Sequence, residues 1–150
     1  MIGLRAIDRN NWEQCIHLKP AQEQQRFIAS NLYSIAESQF LPGFVTRAVY
    51  LDDRPIGFTM YGKDPDDGNY WIYRFMIDER YQGKGYGTAA IRLVIDDIEK
   101  KDDRTDVVVV GYHPDNEFAR KLYTKAGFQE IGIAPWGEML ANYHFEKRTF

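Results

Sequence analysis

The chain has 150 residues, 44% hydrophobic and 15% aromatic, long enough for one domain with a buried core and too apolar to stay disordered. Its 19 Lys and Arg against 22 Asp and Glu leave a net charge of -3, which gives no basic surface for nucleic acid or anionic lipid. Cys15 is alone and permits no internal disulfide, no apolar leader opens the chain, and no stretch of about 18 apolar residues occurs, so a soluble cytoplasmic protein is expected.

Ile2, Leu4 and Ala6 alternate with Gly3 and Arg5 as a first strand, and Asp8, Asn10 and Asn11 offer caps for a short helix through Trp12, Cys15 and Ile16, stopped by Pro20. A second helix is expected over about 21–37, with Ile28, Leu32 and Ile35 inward. Strands over 46–51 and 55–61 flank the tight turn Asp52-Asp53-Arg54, and Asp64-Pro65-Asp66-Asp67-Gly68-Asn69 turns into a third, Tyr70–Ile77. Ile91, Val94, Ile95 and Ile98 recur at i, i+3, i+4 and i+7, one apolar helical face. Val107-Val108-Val109-Val110 reads as a strand covered on both sides. A helix over about 117–125 ends at Gly127, and a hairpin with Trp136-Gly137 at its tip closes the chain. The fold class expected is a mixed α/β (α+β) domain over residues 1–150, with about seven strands in a central sheet and about four helices.

Between the Tyr70–Ile77 strand and the following helix lies Gln82-Gly83-Lys84-Gly85-Tyr86-Gly87-Thr88. Its glycines let a ligand approach the backbone, and the first-turn N–H groups of the helix attract an anion. The spacing fits neither the Walker nor the Rossmann loop, both of which need other residues at fixed offsets. It resembles the Gln/Arg-x-x-Gly-x-Gly/Ala acetyl-CoA motif of the GCN5-related N-acetyltransferases. Asn116-Glu117-Phe118-Ala119-Arg120-Lys121-Leu122-Tyr123-Thr124-Lys125-Ala126-Gly127-Phe128 is similar to that family's N-x-x-A-x-x-L-Y-x-x-x-G-F signature. The run from Met60 to Gln82 is most similar to bacterial spermine/spermidine acetyltransferases. The resemblance covers essentially the whole chain and implies that the Tyr70–Ile77 and Asp106–Val110 strands run parallel and splay around the pantetheine arm.

Acetyl transfer from a thioester to an amine needs a held diphosphate, a polarised carbonyl, a neutral amine and a protonated leaving thiolate. The resemblance assigns the diphosphate to Gln82, Gly83, Lys84, Gly85, Tyr86, Gly87 and Thr88, and the carbonyl to the backbone of Phe75, Met76 and Ile77. It makes Asn116 a cofactor contact and Tyr123 the general acid, although periodicity alone would leave Tyr123 as a packed core tyrosine and Asn116 as an N-cap. An alkylamine with a pKa of about 10.4 is almost fully protonated at neutral pH and must lose a proton. Trp71-Ile72-Tyr73-Arg74 lacks the acid that related polyamine enzymes often carry there, so Glu37 is the expected base and acceptor contact, with Tyr73 lining the acceptor channel. Asp64, Asp66 and Asp67 are either a polycation rim or an ordinary turn. His17, His113 and His144 are scattered without metal-ligand spacing.

The expected activity is acetyl-CoA-dependent N-acetylation of a small primary amine, with spermidine or spermine leading, by direct attack in a ternary complex. The alternatives are a protein or peptide N-acetyltransferase and a non-catalytic acyl-CoA-binding module. A homodimer through the C-terminal hairpin is a further expectation.

Overall fold

The computed structural model describes residues 1–146. In chain order it contains β1 (Ile2–Ala6), α1 (Trp12–His17), α2 (Gln22–Gln25), α3 (Asn31–Ser38), β2 (Val45–Leu51), β3 (Arg54–Lys63), β4 (Tyr70–Ile77), α4 (Tyr86–Glu99), β5 (Val107–Tyr112), α5 (Glu117–Lys125), β6 (Gln129–Ile133) and β7 (Met139–His144). The strands form one sheet ordered β1-β2-β3-β4-β5-β7-β6, in which β4 and β5 are parallel and every other pair is antiparallel. None of the helices described is long and apolar enough to cross a membrane.

Two apolar layers sandwich the sheet. On one face Ile91, Val94, Ile95 and Ile98 of α4 pack with Ile56, Ile72, Ile77, Val108 and Val110. Each such side chain contributes about 1.5–3 kcal/mol through burial, so the helical periodicity of α4 is the main anchor of this layer. On the other face Phe58, Met60 and Met76 pack with Leu18, against which Ile28 and Ile35 lie half-buried. Cys15 is fully buried; that burial, and then the negative charge of Asp8, push its thiol up to about 11, so it stays an unreactive thiol.

The single helix expected over 21–37 is two. Ser30 adopts an extended backbone (ψ 158°), and its side chain accepts a hydrogen bond from the Tyr33 backbone N–H at 3.1 Å, which caps α3 afresh. Leu32 is consequently turned outward, 54% exposed, while Ile28 falls in the turn between the two helices. Among the described residues this makes five α-helices.

The register of β4 slips at Tyr73. Tyr61 of β3 pairs with Ile72 and Met60 with Arg74, leaving Tyr73 as a bulged extra residue. The inward set changes parity across it, from Tyr70 and Ile72 to Phe75 and Ile77. A bulge bends and over-twists its strand. Beyond this point β4 leaves β5: the two pair only over Tyr70–Val108, Trp71–Val109 and Ile72–Val110.

Candidate active site

The parting of β4 and β5 opens a cleft of about 280 Å³, lined by Arg74 and Phe75 from β4, Gly111 and Tyr112 from β5, and Asn116, Ala119 and Tyr123 from the α5 segment. On its β5 side, the edge of β4 from Tyr73 to Ile77 has no strand partner, so alternate N–H and C=O groups face the cleft. Asn116 is buried, and its side-chain oxygen caps α5 by accepting from the Ala119 N–H at 3.1 Å. The Tyr123 ring is stacked on Tyr112 (centroids 5.8 Å apart, 12° between planes) and edge-on to Phe128 at 5.3 Å. Burial first, and then the nearby Tyr112 and Glu138, push the Tyr123 phenol far above its ordinary value, so it keeps its proton at neutral pH.

At one end this cleft meets a second cavity of about 300 Å³, bounded by Ile77, Gln82, Gly83, Gly85, Gly87 and Thr88, with Phe118 and Leu122 of α5 shared between the two. Gly83 and Gly85 have φ of 78° and 84°, a left-handed backbone in which a side chain is strained. Gly85 is the N-cap of α4 and no side chain caps that end, which leaves first-turn N–H groups for an anion. Lys121 and Lys125, one turn apart on α5, line the same cavity and supply positive charge; Lys84, expected there, is exposed and lines none of these cavities. Tyr86 packs half-buried against the core and contributes only its backbone to the helix start.

Two buried polar contacts fix the loop. Gln82 Nε2 donates to the Ile77 carbonyl at 2.8 Å and to Gln24 Oε1 at 3.0 Å, so α2 is pinned to the glycine loop. Asp78, 3% exposed, accepts from the Arg80 N–H at 3.1 Å, from Arg80 Nε at 2.8 Å and from the Lys19 N–H at 3.1 Å. Burial alone would raise its carboxyl, but the hydrogen bonds from Arg80 and Lys19 outweigh it and hold the group below the usual carboxylate range. A lowered folded-state pKa means that this stabilisation is complete above the unfolded value of about 3.9 and is lost as the pH falls below it. Replacing Asp78 by Asn is expected to cost about 2 kcal/mol at neutral pH, read as a fall in the urea midpoint, with the gap from wild type closing below about pH 4. Equal midpoints at pH 7 would remove Asp78 from this part.

At its other end the cleft opens into a third cavity of about 530 Å³. Asp64, Asp66 and Asp67 of the β3–β4 turn, Trp71 and Tyr73 of β4, and Trp136 and Glu138 of the β6–β7 turn line it. Tyr73 donates its hydroxyl to Asp64. Trp71 Nε1 donates to Asp67 at 2.8 Å and Trp136 Nε1 to Glu138 at 2.6 Å, while the two indoles lie 6.5 Å apart. Among the described residues, none of the four carboxylates is in an ion pair. Arg74 borders the cavity, but its Nη2 is bonded to Glu37 at 2.9 Å.

Of the residues expected from the sequence, Phe75, Asn116 and Tyr123 meet at the central cleft, Ile77 and most of the glycine segment at the second cavity, and Tyr73 at the third. Met76 faces the opposite layer, with Leu18 and Phe58. Glu37 lies against Arg74 and lines none of the three. Sequence reasoning missed Gln24, Lys121, Lys125 and Glu138. For the lysines the i, i+4 spacing beside the L-Y pair was a usable signal; for Glu138 the only one was an acid beside an aromatic at a hairpin tip.

The profile of the Acetyltransferase (GNAT) family matches residues 4–128, and the chain belongs to this family. It is an N-acetyltransferase whose acetyl donor is acetyl-CoA, for which the left-handed glycines, the uncapped start of α4 and the unpaired edge of β4 form a fitting cradle. The chain is 28% identical over 137 residues to the spermine/spermidine N(1)-acetyltransferase of Bacillus subtilis (strain 168), covering 87% of this chain and 90% of that one. It is 31% identical over 77 residues to the N-alpha-acetyltransferase RimI of Mycobacterium tuberculosis (strain ATCC 25618 / H37Rv), covering 51% and 45%. The fold is similar to that of aminoglycoside acetyltransferase AAC(6')-Ib in complex with coenzyme A and kanamycin, with a TM-score of 0.77 at 19% identity over 96% of this chain and 95% of that one.

Proposed function

We propose that the acceptor is a small aliphatic polyamine of the spermidine or spermine type, acetylated on a primary amine by direct attack while both substrates are bound. One observation carries this reading: four carboxylates surround the third cavity with no ion pair among the described residues to offset them, because Glu37 occupies Arg74. A polycation supplies the missing charge, and the faces of Trp71 and Trp136 suit its methylene and ammonium groups. The similarity to a spermine/spermidine acetyltransferase points the same way.

Acetyl-CoA supplies the thioester. The amine nitrogen bonds to the carbonyl carbon, the carbon–sulfur bond breaks, the nitrogen loses a proton and the sulfur gains one. Backbone groups at Phe75 to Ile77 hold the carbonyl, an oxyanion-type contribution of about 3 kcal/mol per donor. Gln82, Gly83, Gly85, Gly87 and Thr88, with Lys121 and Lys125, hold the diphosphate, and Asn116 lines the path between. Tyr123 donates to the departing thiolate. The burial that raises its phenol raises the proton affinity of the sulfur beside it as well, so donor and acceptor stay matched. Glu37 is given a positioning part, neutralising Arg74, in place of the base expected from the sequence.

Thiol release from acetyl-CoA across polyamines, monoamines, aminoglycosides and short peptides tests the reading. Spermidine and spermine are expected to turn over faster than any monoamine of similar length. Turnover of peptides without polyamines would replace this acceptor by a protein N-terminus or lysine. Binding of acetyl-CoA with no acceptor turned over would favour a non-catalytic acyl-CoA module.

A further inference from the structure

Glu138 is the one carboxylate of the third cavity that also borders the central cleft, sharing that boundary with Arg74 and Gly111 alone. The turn after β6 brings it there because β7 lies between β5 and β6, with Leu140 of β7 paired to Gly111 of β5. Its Oε1 is fixed by the Trp136 indole at 2.6 Å, and among the described residues Oε2 accepts no hydrogen bond. A Cβ on Gly111 would come within 3.1 Å of that Oε1, so the glycine leaves β5 open beneath the carboxylate. Arg74, the cation nearest in the lining, is held by Glu37. The half-buried Glu138 therefore stands with one oxygen oriented and one available, at the boundary between the space for a thioester and the space for a polycation.

We propose that Glu138 receives the reacting amine: it holds one N–H of the nitrogen and takes that proton as the nitrogen bonds to the acetyl carbon. The inference rests on the acceptor reading above. A carboxylate is far too weak a base to strip a free ammonium, whose pKa is near 10.4. Once the nitrogen lone pair is committed to carbon, however, the remaining N–H becomes far more acidic and the carboxylate suffices. The amine enters as its small neutral fraction, the ammonium proton having gone to bulk water; on attack Glu138 takes the next N–H proton and passes it to water, while Tyr123 gives one to sulfur and regains it from water. Asp64, Asp66 and Asp67 hold the distal ammonium groups. The titratable groups that line cavities together with Glu138 are Arg74 and Tyr73 from β4, Tyr112 from β5, Tyr123 from α5 and the three aspartates of the β3–β4 turn, and the Trp136 indole lies among them.

Glu138→Gln keeps an oxygen for the Trp136 N–H and removes only the charge. With spermidine as the probe, it is expected to lower kcat/KM by about 100-fold at neutral pH, while the Kd of acetyl-CoA stays within about twofold. The defect should shrink as the pH approaches about 10, where hydroxide can take the proton in place of the carboxylate, and Glu138→Asp should recover about tenfold. Trp136 fluorescence unchanged from wild type accompanies this outcome. A Glu138→Gln enzyme within about threefold of wild type on spermidine overturns the inference alone. So does a loss that is equal at every pH, unrelieved by Asp and accompanied by altered fluorescence, since that marks a structural part. A wild-type enzyme that turns over no amine at all would instead remove the acceptor reading beneath it.

Discussion

Tyr123→Phe is expected to lower kcat by about 100- to 1000-fold with the Kd of acetyl-CoA unchanged within about twofold. Phenylalanine keeps the ring stacked on Tyr112 and edge-on to Phe128, so packing survives and only the hydroxyl goes. The effect should appear in kcat and kcat/KM together, the pattern of an interaction made only as the bond breaks. Calorimetry of acetyl-CoA binding beside steady-state rates with spermidine checks it. Unchanged kcat would return Tyr123 to a packing residue and strengthen the case for a binding module.

Replacing Asp64, Asp66 and Asp67 together by Asn is expected to raise KM for spermidine by about 10- to 100-fold with a smaller change for a monoamine. At positions 64 and 67 the single Asn oxygen can keep accepting from the backbone N–H groups of Asp66 and Asn69, which hold the turn, while the second acceptor, used by the Tyr73 hydroxyl and the Trp71 indole, is given up. The larger loss is charge. Asp66 and Asp67 are exposed and Asp64 half-buried, so each ammonium contact is discounted to about 0.5–1 kcal/mol. Three together give about 1.5–3 kcal/mol, and 1.4 kcal/mol is tenfold. Added salt should raise the wild-type KM far more than that of the triple variant, because screening acts on the charges removed. An equal rise for mono- and polyamines would mean that the variant harmed the site's shape instead.

The elements that read clearly from sequence are those in which one residue type has one physical use. Left-handed turns restrict position 85 to glycine, the apolar face of α4 repeats at helical spacing, and the valine run of β5 is covered on both sides. The paired motifs add the family, and with it the places of Asn116 and Tyr123. Three features were weakly marked. The break between α2 and α3 has one local sign, Ser30 capping its own helix start, and rests also on Gln24 reaching Gln82, a contact spanning 58 positions. The slip at Tyr73 is hidden because Tyr70 to Ile77 is apolar or aromatic almost throughout, so a change of parity alters nothing visible. Glu138 acquires its surroundings only when β7 inserts between β5 and β6. The Asp64–Asp67 cluster, in turn, is indistinguishable from an ordinary acidic turn until Trp136 closes the other side.

With the proposed polyamine acceptor, the unneutralised carboxylates of the third cavity bear on product release as well as on capture. Acetylation turns an ammonium into a neutral amide, so the product returns to the cavity with one positive charge fewer than the substrate that displaces it. Product inhibition should therefore be weak and should fade further for acceptors with fewer remaining charges. A long polycation would be modified once and exchanged before a second transfer, because fresh substrate always competes with the advantage of one more charge. On the proposed acceptor, acids that hold a polycation would also give each turnover its direction of exchange.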